Sequence, residues 1–354
     1  MSWIMLIVGL VLLIFGADLL VKGAARLAAS FGVPALVVGL TVVAFGTSAP
    51  ELAVSVKSAW SGQAELAVAN VVGSNIFNIL CILGLAALIS PLVVSAQLIR
   101  QDVPIMILVS AAATAMAWDG SIVKWEAALL FIGLLAYTGF LFLQGRKQGL
   151  ETADADTAGL LQQKAPLWQN LALLVVGLVL LVLGARFLVQ SAVQIASSFG
   201  VSDAVIGLTI VAIGTSLPEV MTSVVATLKG QRDIAIGNVV GSNIFNILCV
   251  LGLSGLVSPE PLLANMQMAS LDMPVMLAVA LLCLPLFFVG ASLSRLEGGL
   301  FLVLYAAYVW YLIALTLNLG YLSDLRTGII FVLVPLVAVY VTTLLGVDLR
   351  RRLR

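Results

Sequence analysis

A block of sequence occurs twice in this chain, 168 residues apart and without a gap. Gly46-Thr47-Ser48-Ala49-Pro50-Glu51 returns as Gly214-Thr215-Ser216-Leu217-Pro218-Glu219, and the eleven residues from Asn70 to Leu80 return unchanged as Asn238 to Leu248. Each copy sets a carboxylate, hydroxyls, amides and a helix-breaking Gly/Pro pair inside an apolar stretch. An ionisable residue at membrane depth is costly and therefore marks a functional site. Paired, Gly/Pro-interrupted apolar segments at matching places in two halves point to the binding site of a transporter.

The rest of the chain sustains the membrane reading. It is 62% hydrophobic and 10% charged, where a soluble domain carries about 25% charged residues. Net charge is zero, so no basic field attracts nucleic acid. Histidine is absent, which removes the commonest metal ligand and the usual proton shuttle near neutral pH. Cys81, Cys249 and Cys283 read as packing residues, not as a disulfide or thiolate metal site. No nucleotide loop and no paired nucleophile and base occur, so the chain does not read as an enzyme and calls for no cofactor.

A bilayer crossing needs about 17–25 apolar residues. Such runs fall near 3–21, 35–59, 65–89, 103–118, 123–143, 170–191, 203–228, 234–257, 272–292, 296–317 and 327–346. The start of the chain lacks a basic n-region, so the first run reads as a helix and not as a cleaved signal. Residues 144–169 form the one substantial polar stretch and read as a linker. Its Asp154/Asp156 pair lacks the spacing of an EF-hand. Placing the N-terminus outside puts thirteen Lys and Arg inside and four, Lys57, Lys124, Arg186 and Arg326, outside, the bias the positive-inside rule requires. The linker and C-terminus are then cytoplasmic, and the bilayer expected is the cell membrane.

Five spans separate the two copies, so the second enters the membrane in the opposite direction. The expected fold is an all-α membrane protein with an inverted repeat and a shared site near the midplane. Residues 1–143 form the first repeat, 144–169 the linker, 170–317 the second repeat, and 318–354 an extra helix with a basic tail. The site residues are oxygen donors: Glu51 and Glu219, the hydroxyls of Thr47, Ser48, Ser74, Thr215, Ser216 and Ser242, and the amides of Asn78 and Asn246. Pro50 and Pro218 interrupt helical hydrogen bonding, which frees carbonyls around Ala44 and Ala212. Two carboxylates among neutral oxygens suit Ca²⁺ or Na⁺ better than Zn²⁺ or Cu⁺.

Other polar residues have structural readings. Gly73 and Gly241 allow close helix approach. Asn75 and Asn243 read equally well as supports for the opened backbone or as part of the site. Asp18 and Lys22 pair at i and i+4. Their repeat partners, Arg186 and Gln190, break the symmetry. Asp102 and Asp272, each two residues before a proline, read as helix caps.

At the two Gly-Thr-Ser-x-Pro-Glu and two Gly-Ser-Asn-Ile-Phe-Asn blocks, and over roughly residues 1–317, the chain resembles the cation/Ca²⁺ antiporter superfamily, and within it the Na⁺/Ca²⁺ exchangers. The resemblance implies a ten-helix antiporter core, with helices two, three, seven and eight broken around a central site and the eleventh helix outside it. It implies that Glu51, Glu219, Thr47 and Thr215 hold Ca²⁺. It implies one Na⁺ site at Ala44, Thr47, Ser48, Ser74 and Glu51, and a counterpart at Ala212, Thr215, Ser216, Ser242 and Glu219. Asn78 and Asn246 line the middle. Several relatives carry aspartate at the position of Asn246, tied to K⁺ co-transport in K⁺-dependent exchangers. The asparagine here resembles the K⁺-independent type.

The expected function is secondary antiport of Na⁺ against Ca²⁺ by alternating access, with both ions as substrates, the bilayer as surroundings and no protein partner required. A Ca²⁺/H⁺ or other divalent cation/H⁺ antiporter on the same fold is the alternative. A cation channel fits less well, because channels form rings by subunit symmetry.

Overall fold

The computed structural model describes residues 2–149, 166–199 and 212–352. The helices are α1 Ser2–Phe31, α2 Ala35–Thr47, α3 Ala49–Trp60, α4 Ala64–Ile89, α5 Leu98–Asp119, α6 Lys124–Gly149, α7 Leu167–Ser198, α8 Leu217–Leu228, α9 Arg232–Val257, α10 Met268–Ala291, α11 Arg295–Thr316 and α12 Leu322–Arg350. Nine of the described helices are long and apolar enough to span a membrane. The pair α2 and α3, bent by 47° at Ser48, makes a tenth span. The span expected at 203–228 lies partly outside the described residues, which show it as the turn Ala212–Gly214 and α8. The expected linker also lies mostly outside them, although α6 and α7 run into its two edges.

Several spans are longer than the hydropathy pattern suggests, and α1 is the plainest case. The expected boundary near residue 21 reflects the charges of Asp18 and Lys22. These do not stop the helix, because Asp18 pairs with Lys22 at 2.7 Å and also with Lys229 beyond α8. The α5 and α10 starts lie earlier than expected, since each begins with a wide π-type turn, Leu98–Asp102 and Met268–Asp272. The expectation that Asp102 and Asp272 cap these helices is incorrect. Neither side chain makes a capping bond. Tyr137 and Gln97 donate to Asp102 at 3.1 and 3.2 Å, and Tyr308 and Gln267 donate to Asp272 at 2.8 and 3.5 Å. Each aspartate thus ties the start of one helix to the next helix.

Helices α1 and α7 form the tightest pair. Gly9, Gly16 and Gly23 recur every seven residues, as do Asn170, Gly177 and Gly184. A Cβ built on Gly9 would lie 2.9 Å from the Gly184 carbonyl, one on Gly16 2.8 Å from the Gly177 carbonyl, and one on Gly23 3.1 Å from that of Asn170. The helices are antiparallel and backbones touch at each step, the small-residue packing that membranes favour. Their apolar faces form one cluster with α8 and the ends of α2 and α9. A second, larger cluster unites α4, α5, α6, α9, α10 and α11.

Two short ladders join the halves. The strand β1 (Leu92–Val93) pairs antiparallel with β4 (Ser292–Leu293), and β2 (Ser121–Ile122) pairs with β3 (Leu262–Leu263). β1 and β3 follow equivalent helices, α4 and α9. β2 and β4 likewise follow α5 and α10. Each repeat therefore gives its first strand to the other's second, as a two-fold relation between repeats requires.

Candidate ion-binding site

Four helix breaks and wide turns meet at the centre. Residues Ser48 and Ser216 occupy the cap positions of α3 and α8, with φ/ψ of −81°/5° and −87°/5°. Serine there ordinarily accepts from its own helix, and neither does. The Ser48 hydroxyl donates instead to Glu219 Oε1 at 3.0 Å, and the Ser216 hydroxyl to Glu51 Oε1 at 2.9 Å. Each half's serine serves the other half's carboxylate. Ser216 also meets the Ser74 hydroxyl at 3.3 Å. The Thr215 hydroxyl oxygen is buried without a partner among the described residues.

Both glutamates sit in the first turn of a helix, where the macrodipole favours an anion, and both are buried. Neither forms an ion pair with a Lys or Arg among the described residues. Burying a charge without a counter-charge is costly. The second oxygens, Glu51 Oε2 and Glu219 Oε2, are buried and accept no hydrogen bond among the described residues. The same holds for Asn78 Oδ1, Asn246 Oδ1 and Ser242 Oγ. Native interiors rarely leave so many polar atoms unmatched in one place. Carboxylate and amide oxygens that lack donors are what a bare cation needs.

The Ca²⁺ set expected from the resemblance spans both halves, while each expected Na⁺ set lies within one half; the serine hydroxyls in the structure bond across the halves. Glu51 accepts from Ser216, which also meets Ser74, and Glu219 accepts from Ser48. The Ala44 carbonyl is also not freed by Pro50: it accepts from the Ser48 amide at 3.0 Å. The proline lacks the N–H that faces Gly46, four residues back. In the second half the corresponding amide, Ser216 N, reaches Ile213 O at 3.1 Å, next to Ala212.

Asn70 and Asn238 belong to the site's framework and were not singled out from the sequence. Asn70 Nδ2 donates to Ser55 Oγ at 2.9 Å and to the backbone carbonyl of Glu51 at 3.4 Å. Asn238 repeats this with Ser223 at 3.0 Å and Glu219 at 3.4 Å. Their signal was present, since each asparagine opens the identical block nineteen residues after its glutamate. Thr47 breaks the symmetry of this framework: it donates to Asn238 Oδ1 at 3.0 Å, and Asn238 is buried where Asn70 is partly open.

The close helix approach expected at Gly241 is present. A Cβ on Gly241 would lie 2.6 Å from the Leu40 carbonyl, so α9 presses directly on α2. A Cβ on Gly73 meets nothing within 4 Å. The close approach expected at Gly73 is thus absent among the described residues; the repeat equivalent of α2 falls at 203–211, outside them. An apolar groove of about 480 Å³ between α2, α6 and α9, lined by Leu40, Phe45, Leu134 and Phe245, holds no carboxylate and is separate from this site.

Antiparallel repeats clasped at both ends, with a shared oxygen-lined site at their breaks, define an inverted-repeat cation/Ca²⁺ antiporter embedded in a membrane. The chain belongs to the sodium/calcium exchanger protein family, whose sequence profile matches residues 1–143 and 169–314. It is 33% identical over 342 residues to the sodium/calcium exchanger MaX1 of Methanosarcina acetivorans, covering 87% of this chain and 97% of that one. It is 40% identical over 291 residues to the inner membrane protein YrbG of Escherichia coli, covering 79% and 87%. Among solved structures, the sodium-calcium exchanger NCX_Mj, soaked with zero Na⁺ and Ca²⁺, aligns with a TM-score of 0.76 at 33% identity, over 88% of this chain and 98% of that one.

Proposed function

We propose that this protein exchanges Na⁺ for Ca²⁺ across the cell membrane at the site between α3, α8, α4 and α9. The observation that carries the reading is the set of buried, unpartnered oxygens, Glu51 Oε2, Glu219 Oε2, Asn78 Oδ1 and Asn246 Oδ1, drawn equally from both repeats. Two carboxylates balance one Ca²⁺, and neutral oxygens complete its shell. Na⁺ competes for the same atoms. One set is Glu51, Ser74, Thr215 and Ser216, with Ala212 nearby in the chain. The two-fold related set is Glu219, Ser242, Thr47 and Ser48, with Ala44 nearby. Ions that share ligands exclude one another, and mutual exclusion is the requirement for exchange. The N-terminus lies outside, and the linker and C-terminus in the cytoplasm, as the Lys and Arg bias dictates.

Proton coupling on the same fold is the competing reading, since a buried carboxylate can trade a cation for a proton. Uptake of ⁴⁵Ca²⁺ into proteoliposomes separates the two. An outward Na⁺ gradient drives uptake, and a pH gradient without Na⁺ does not. Equal uptake under the pH gradient alone would replace Na⁺ with H⁺ as the coupling ion.

A further inference from the structure

The central asparagines are held in one orientation by a pair of two-fold related relays. Asn78 Nδ2 donates to Asn243 Oδ1 at 3.3 Å, and Asn243 Nδ2 donates to the Met106 sulfur at 3.6 Å. In the mirror relay Asn246 Nδ2 donates to Asn75 Oδ1 at 3.1 Å, and Asn75 Nδ2 donates to the Met276 sulfur at 3.8 Å and to the Asn243 backbone carbonyl at 3.1 Å. Each relay crosses between repeats. Each ends on a group, thioether or carbonyl, that only accepts. An acceptor-only anchor fixes which end of the first amide is the donor, and that amide fixes the next. The result is that Asn78 and Asn246 turn their carbonyl oxygens away from the relay, and these are the oxygens left buried without partners.

We infer that Asn75 and Asn243, anchored by Met276 and Met106, are positioning residues that hold the amide oxygens of Asn246 and Asn78 toward the transported cation. The inference rests on the ion-site reading above. An asparagine amide rotated by half a turn presents an NH₂ group, which repels a cation, so amide polarity decides whether the middle of the site attracts or rejects one. A purely structural role for the inner asparagines accounts for their own hydrogen bonds but not for the bare oxygens at the other end. The anchors are placed by the repeat. Asp102-Val103-Pro104-Ile105-Met106 is matched by Asp272-Met273-Pro274-Val275-Met276, and Asp102 and Asp272 are tied to Tyr137 and Tyr308. Each methionine therefore sits one turn beyond a fixed helix start.

The test is equilibrium ⁴⁵Ca²⁺ binding by the full-length protein in detergent, with Na⁺-driven uptake measured on the wild type. Loss of the relay's acceptor in Asn243→Leu weakens Ca²⁺ binding roughly tenfold, the scale of one hydrogen bond directed at a charge. The same substitution in an Asn78→Ala background has less than about a twofold effect, because no amide is left to orient. Met106→Leu conserves volume and removes only the sulfur acceptor. It gives a smaller loss that also vanishes with Asn78→Ala, and it serves where Asn243→Leu fails to fold. Equal losses in both backgrounds would make the inner asparagine a packing residue and overturn the inference. Absence of Na⁺-driven uptake by the wild type is a different outcome, which defeats the ion-exchange reading itself.

Discussion

The proposed exchange rests on a crosswise arrangement of a few side chains. Glu51 and Glu219 face each other's repeats, and each takes its serine hydroxyl from across the two-fold relation. Replacing either glutamate by glutamine removes half the anionic charge from a site that must strip a divalent cation of water. Glu51→Gln and Glu219→Gln are each expected to abolish ⁴⁵Ca²⁺ uptake in reconstituted vesicles while the protein still inserts. Retained uptake in either variant would remove that glutamate from the site. The serines give a graded companion result. Ser216→Ala strips Glu51 of its hydroxyl partner, and Ser48→Ala strips Glu219. A hydrogen bond to a charged group contributes about 1.5–3 kcal/mol, so each variant is expected to bind Ca²⁺ about tenfold or more weakly. The effect of Ser48→Ala should follow from the environment of Glu219 and not of Glu51. Isotope-edited infrared bands of the two carboxylates, resolved through the corresponding glutamate variants, report which one responds.

At the level of helices, the breaks decide where backbones touch. Gly241 leaves no room for a methyl group, since the Leu40 backbone is already in contact. Gly241→Ala is expected to destabilise by about 1–3 kcal/mol, the usual cost of overpacking. Thermal melting in detergent measures the change, and an unaltered melting temperature would contradict the close packing of α9 on α2. The repeated Gly-Thr-Ser-x-Pro-Glu and Gly-Ser-Asn-Ile-Phe-Asn blocks made a two-fold candidate site legible in the sequence, because polar residues at membrane depth are too costly to keep without a ligand or a partner. Asp102 and Asp272 were misjudged because proximity to a proline suggests a cap, while the tyrosines that satisfy them lie 35 and 36 residues away. Contacts at that separation leave no local pattern. The seven-residue spacing of Gly9, Gly16 and Gly23, by contrast, was visible in the sequence and signals close helix pairing.

The molecule as a whole is divided by its packing. One apolar cluster unites α1, α7 and α8 with parts of α2 and the start of α9, and the other unites α4, α5, α6, most of α9, α10 and α11. The two ladders bind the second group alone, because β1 and β2 flank α5 and β3 and β4 flank α10. Among the described residues the α1–α7 pair has no such ladder; beside the two breaks a Cβ on Gly46 would reach the Leu178 side chain at 3.5 Å and one on Gly214 would lie 2.6 Å from that of Val189. Alternating access needs one body to move against another around a fixed site, and this division supplies both bodies. A cross-link inside the clasped body should therefore leave exchange running, and one between the bodies should stop it. The first is Val93→Cys with Ser292→Cys, directly opposed in a ladder. The second is Gly46→Cys with Leu178→Cys. Both are made after replacement of Cys81, Cys249 and Cys283, which are free. Oxidation is expected to spare Na⁺-driven ⁴⁵Ca²⁺ uptake in the first pair and to block it in the second, with recovery on reduction. Blockage by the ladder cross-link would mean that the clasped helices themselves move against each other during transport, and the division at the α1–α7 boundary would then be the wrong one.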